Sequence, residues 1–139
     1  MMVGALALPF GAAPAYADGH TEPTPEIADK DWYNVVYYRF HEGKMGEAIE
    51  LVEAFAKVDE ALGSEPFGLV MSSGEWDMVV AFKMEGGIAE MGWQNNPAAD
   101  AWNAEFERQL GSKEAVAQHW QKFYSIVKDR QFEIGYVPQ

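Results

Sequence analysis

The sequence predicts an α+β domain whose elements run strand, helix, strand, strand, helix, strand. One observation behind this is the apolar period, which changes along the chain from the two-residue alternation of strands to the helical repeat and back. Another is the set of Gly, Asn and Ser positions that punctuate each change. Composition agrees: 139 residues, 48 % hydrophobic and 14 % aromatic with five tryptophans, suit one folded domain and are far too apolar for a disordered chain.

Trp32–His41 (WYNVVYYRFH) is dense in β-branched and aromatic residues, which pack well on a pleated sheet. Tyr33, Val35 and Tyr37 alternate with Trp32, Val36, Tyr38 and Phe40, so both faces of this strand are apolar, as in a strand buried on both sides. From Met45 the stripe Ala48, Ile49, Val52, Phe55, Ala56 and Leu62 has helical spacing, with Glu47, Glu50, Lys57 and Glu60 opposite it and Gly63 as the terminator. Phe67–Ser73 and Trp76–Met84 read as a hairpin turning at Ser73-Gly74-Glu75. On its second strand Trp76, Met78, Val80, Phe82 and Met84 are expected to share a face. Ile88–Trp93 suits a turn of helix. Asn96-Pro97 then opens a helix with the stripe Ala98, Trp102, Phe106 and Leu110. Ser112 caps a second segment with the stripe Val116, Trp120, Phe123, Tyr124 and Val127, and Phe132, Ile134 and Tyr136 mark a last strand.

This order is the split βαβ arrangement of ferredoxin-like folds, a four-stranded antiparallel sheet with helices on one face. The opposite face of Trp32–His41 would then be apolar and open to water, a surface that soluble monomers rarely carry. A homodimer pairing two such sheets, a dimeric α+β barrel, is the expected solution.

Met1–Ala17 carries no charge and ends in Ala15-Tyr16-Ala17, an A-x-A-like cleavage site, although the usual basic start is missing. Residues 1–17 are therefore expected to be a signal peptide, 18–31 a polar lead-in with Pro23 and Pro25, and 32–138 the single domain. The expected location is periplasmic or secreted. With 10 basic against 22 acidic residues, nucleic acid is an unsuitable partner and so is an anionic membrane surface. The absence of cysteine excludes disulfides, thiolate metal sites and Cys nucleophiles.

The stretch Met91–Phe106, MGWQNNPAADAWNAEF, together with the element order, resembles the antibiotic-biosynthesis-monooxygenase-like domains of the dimeric α+β barrel superfamily. In that family a helical Trp precedes a short loop and an amphipathic helix. The resemblance covers about Trp32–Pro138 and implies the barrel fold. Members include cofactor-free oxygenases of aromatic polyketides and haem-degrading enzymes. Trp93 matches the helical Trp of the haem-degrading members, but their His position falls at or beside Asn103, and their strand Asn falls nearer Val36 than Asn34. Haem degradation is disfavoured, and no cofactor is implied.

His41, at the end of the first strand, has the pKa range of a general base, although a partly exposed strand-end His bonded to a loop is the simpler account of it. His119 reads as a core-edge His donating to a backbone carbonyl. His20, His41 and His119 have no metal-ligand spacing, so no metal is expected. A cleft between sheet and helices, lined by Asn34, Arg39, Trp76, Trp93 and Trp102, would bind a small apolar or aromatic molecule. The leading expectation is thus an exported homodimeric binding protein. One alternative is a cofactor-independent monooxygenase in which Tyr38 and His41 orient or deprotonate an aromatic substrate. The other is an association module without ligand.

Overall fold

A computed structural model describes residues 29–138. Its elements are β1 (Trp32–Phe40), α1 (Met45–Leu62), β2 (Phe67–Val70), β3 (Met78–Lys83), a 3-10 turn (Gly87–Gly92), α2 (Pro97–Leu110), α3 (Lys113–Ile126) and β4 (Val127–Tyr136). The strands form one antiparallel sheet in the order β2-β3-β1-β4. The chain is therefore a ferredoxin-like α+β domain, with β1 central and the most apolar segment given two neighbours.

Helix boundaries follow local chemistry. The Asn96 side chain accepts from the Ala98 amide at 3.0 Å, and Pro97 occupies the first helical turn, where its missing N–H costs nothing. The Ser112 hydroxyl accepts from the Ala115 amide at 3.1 Å and restarts the helix as α3. Between them Gly111, at φ 94°, makes the left-handed turn that separates α2 from α3.

In β1, Val36 and Phe40 point to the helices and are 3 % and 5 % exposed. Phe40 joins Ala48 and Leu51 of α1, Met78 of β3, and Phe123 and Ile126 of α3 in the main core. The opposite face carries Tyr33, Val35 and Tyr37, beside Val79 and Ala81 of β3 and the exposed Phe67 and Leu69 of β2. β4 contributes Gln131 and Glu133 to that face, so it is apolar over three strands and polar over the fourth.

Three local expectations are corrected. The hairpin strands are shorter than the apolar runs, and residues 71–77 form the connection. Asp77 explains this: its carboxylate accepts from the Phe40 amide at 2.8 Å, and its backbone bonds Tyr38 and Met71, so the chain is committed before Met78. Trp76 consequently stands outside the strand and packs over Tyr37, on the side opposite Met78. Finally, α3 passes directly into β4. Val127 pairs with Phe40 across a register shift in place of continuing the helical stripe. The proposed signal segment, and most of the lead-in, lie outside the described residues.

Candidate functional site

The antiparallel hairpin leaves β2 at the sheet edge, and α1 crosses the sheet beside it. Between them lies a cleft of about 350 Å³. Helical spacing supplies its wall. Ile49, Val52, Phe55, Ala56 and Asp59 recur at intervals of three and four along α1, which puts them on one face. Trp102 of α2 and Trp120 and Phe123 of α3 close the back, while Tyr38, Met78, Val80 and Phe82 form the sheet floor.

The aromatic wall is continuous. Phe55 stacks on Trp120 with centroids 4.5 Å apart, and it meets Phe106, Phe123 and His119 edge-on. Trp102 lies 5.9 Å from Phe55 and 6.1 Å from Trp120. Such tilted and edge-on contacts hold the rings in position, since each aligns a positive ring edge with a negative face.

Few polar groups enter this surface. Asp59 is 7 % exposed, and its Oδ1 accepts a hydrogen bond from the Trp102 indole N–H at 2.8 Å. Burial pushes its carboxyl pKa above the usual range, and the indole bond opposes that rise. The Tyr38 phenol is pushed up to about 12, first by burial and then by Tyr124, with Arg130 pulling the other way. At neutral pH Tyr38 is therefore a protonated hydrogen-bond donor. Glu53 is the remaining carboxylate on the rim.

Of the residues expected to share the site, the cleft brings together Tyr38 and Trp102. The others stand elsewhere for stated reasons. Strand alternation sends Arg39 to the opposite face, where it bonds the backbone and carboxylate of Glu75, approaches Asp129 at 3.4 Å and lies 5.4 Å from the Trp76 ring. His41 is exposed beyond the end of β1, its amide donating to the Ile126 carbonyl at 2.9 Å. Asn34 faces the helix side between Phe82 and Ile134, but it is outside the cleft. Trp93 is 46 % exposed and covers Gly86. His119 takes the expected core-edge role, its Nε2 lying 3.0 Å from the Leu51 carbonyl, so that nitrogen carries the proton.

The residue that sequence reasoning missed is Asp59. The sequence reading assigned it no role, yet it falls four residues after Phe55 on the apolar stripe. A charged residue in a helical stripe is the signal that could have found it. Among the described residues no group of His, Cys, Asp or Glu is arranged to hold a metal ion, and no helix is long and apolar enough to cross a membrane.

Fold and cleft together define a ferredoxin-like α+β domain with an aromatic pocket tipped by one buried carboxylate. No protein-family model matches the chain, and no curated protein matches it significantly. Among solved structures it is similar to a NIPSNAP family protein from Agrobacterium tumefaciens, with 17 % identity, 78 % of this chain and 92 % of that one covered, and a TM-score of 0.49. It is also similar to an uncharacterized NIPSNAP domain protein from Burkholderia xenovorans, at 12 % identity, 78 % and 94 % coverage and a TM-score of 0.46. A dimeric ferredoxin-like protein of unknown function from Thermobifida fusca shares 10 % identity over 78 % of this chain and 92 % of that one, with a TM-score of 0.43.

Proposed function

We propose that this protein is a homodimer that binds a small apolar or aromatic molecule in the cleft between sheet and helices. The observation carrying this reading is the 350 Å³ cleft itself, walled by Phe55, Trp102, Trp120 and Phe123 and almost free of polar side chains. Its size is within the range of small-molecule sites, and its wall offers flat surfaces for a planar ligand. Dimerisation has separate support in the apolar sheet face, where half-buried Val35 and Val79 lie beside the exposed Phe67. Export, read from the pattern of Met1–Ala17, belongs to the same proposal.

A thermal-shift screen with naphthalene, indole and biphenyl compounds tests the binding reading. A ligand that prefers the folded state raises the melting temperature with concentration, and filling the cleft by Val52→Trp should abolish that rise. If no compound raises the melting temperature of the folded protein, the reading falls. The cofactor-independent oxygenase alternative would need a base in this cleft. Tyr38 is held protonated and His41 stands outside, so the burden would pass to Asp59.

A further inference from the structure

Charge at the cleft is of one sign. Glu53 and Asp59 are its carboxylates, and neither Lys, Arg nor His lines it. A shallower hollow continues from it through Ala56, Asp59 and Pro66, and adds Glu60 and Glu65. Asp59 therefore stands where an apolar chamber meets an acidic mouth.

Asp59 has one carboxylate oxygen held by the protein, and the other is not sealed from solvent. Trp102 donates to Oδ1, and among the described residues no side chain donates to Oδ2 and no basic group forms an ion pair with the carboxylate. In a filler of ordinary core this position would carry an apolar side chain, since it continues the stripe of Val52, Phe55 and Ala56. The arrangement supplies a fixed acceptor at the end of an aromatic slot.

We infer that the cleft selects a small aromatic or apolar amine, with its ring against Phe55, Trp102 and Trp120 and its ammonium donating to the free oxygen of Asp59. This rests on the cleft being a ligand site. An ammonium supplies the positive charge and the N–H donors that Asp59 lacks, and the acidic mouth reinforces it. A carboxylate ligand would bring a second negative charge beside Asp59 and Glu53 with no cation to offset either. A neutral ligand would use the wall and donate to the Asp59 carboxylate, but it would bring no positive charge to pair with it.

Three naphthalene probes of one shape separate these outcomes at neutral pH: naphthylmethylamine, naphthalenemethanol and naphthoate, each followed by quenching of tryptophan fluorescence. The amine should bind about tenfold or more tighter than the alcohol, because it alone adds an opposite charge to the hydrogen bond, and naphthoate should bind weakest. Asp59→Asn keeps an oxygen for the Trp102 N–H, so it should retain alcohol binding and remove the amine's advantage. Equal binding of amine and alcohol by the wild-type protein overturns the inference without any variant. So does an amine preference that survives Asp59→Asn. In either case the cleft remains a ligand site. If none of the three probes binds the wild-type protein, the underlying binding reading falls with it.

Discussion

The indole N–H of Trp102 donates to Asp59 Oδ1 at 2.8 Å, joining α2 to α1 across 43 residues of sequence. Two replacements separate its parts. Asp59→Asn preserves an acceptor, whereas Asp59→Ala leaves the partly buried indole donor unpaired. Asp59→Ala should therefore be less stable than Asp59→Asn by about 1–3 kcal/mol in denaturant unfolding. The pH dependence has a definite sign. The folded pKa of Asp59 is raised above 3.8, so the folded chain holds that proton more tightly than the unfolded chain. Its stabilising contribution is fully present below the unfolded value and is lost as pH rises through the folded one. As pH rises above the unfolded value of 3.8, wild-type stability should therefore fall relative to Asp59→Asn. A difference that stays flat with pH would contradict the burial of this carboxylate.

Tyr38 gives the alkaline counterpart. Its phenol is pushed from 10.0 to about 12, so the folded state again holds the proton more tightly. The corresponding stability is intact below the unfolded value of 10.0 and declines as pH approaches about 12. Tyr38→Phe cannot titrate, and it should lose less stability than wild type across that window. Absorbance of tyrosinate, compared between the two proteins, checks the assignment: the tyrosine that ionises last should be missing from the variant.

The order of elements was legible because each boundary carries its own chemistry: Asn96 before Pro97, Ser112 after Gly111, and Gly63 after Leu62. The apolar character of both faces of β1 was legible too, because alternation separates Tyr33, Val35 and Tyr37 from Val36 and Phe40 whatever the partner strands. The site was legible only in part. Trp102 and Tyr38 were found as aromatic residues on core-facing stripes. Trp76 was misplaced because the bonds of Asp77 lie between residues far apart in sequence and end the strand early. Asp59 was overlooked because the indole that accompanies it comes from another helix. Local pattern shows which face a residue is on, but a cleft is made by elements that meet only in the fold.

The open sheet face predicts association. Val35, Val79 and Phe67 lie together on it, and Phe67 is 62 % exposed. Sedimentation at low micromolar concentration should show a dimer. Phe67→Lys combined with Val79→Lys should shift it to monomer while the far-ultraviolet spectrum stays that of the folded domain, because neither side chain belongs to the main core. A wild-type protein that sediments as a stable monomer would remove the support for sheet pairing.

Gly86 is required by its neighbour and not by its own backbone. Its φ of −85° suits any residue, but a Cβ placed there would overlap the six-membered ring of Trp93. Its amide also donates to Glu90 Oε1 at 2.6 Å, while Glu90 Oε2 accepts from the Asn96 side chain at 3.2 Å, so the same few residues position the start of α2. Gly86→Ala must therefore push the indole aside or move this turn, and should cost about 1–3 kcal/mol as other overpacked sites do. In a Trp93→Ala background the added methyl meets only the flexible Glu90 side chain, its Cγ at 3.0 Å, and most of the cost should vanish, giving a coupling of about 0.5–3 kcal/mol in a double-mutant cycle. Additive effects would mean that Trp93 does not rest on Gly86 in solution.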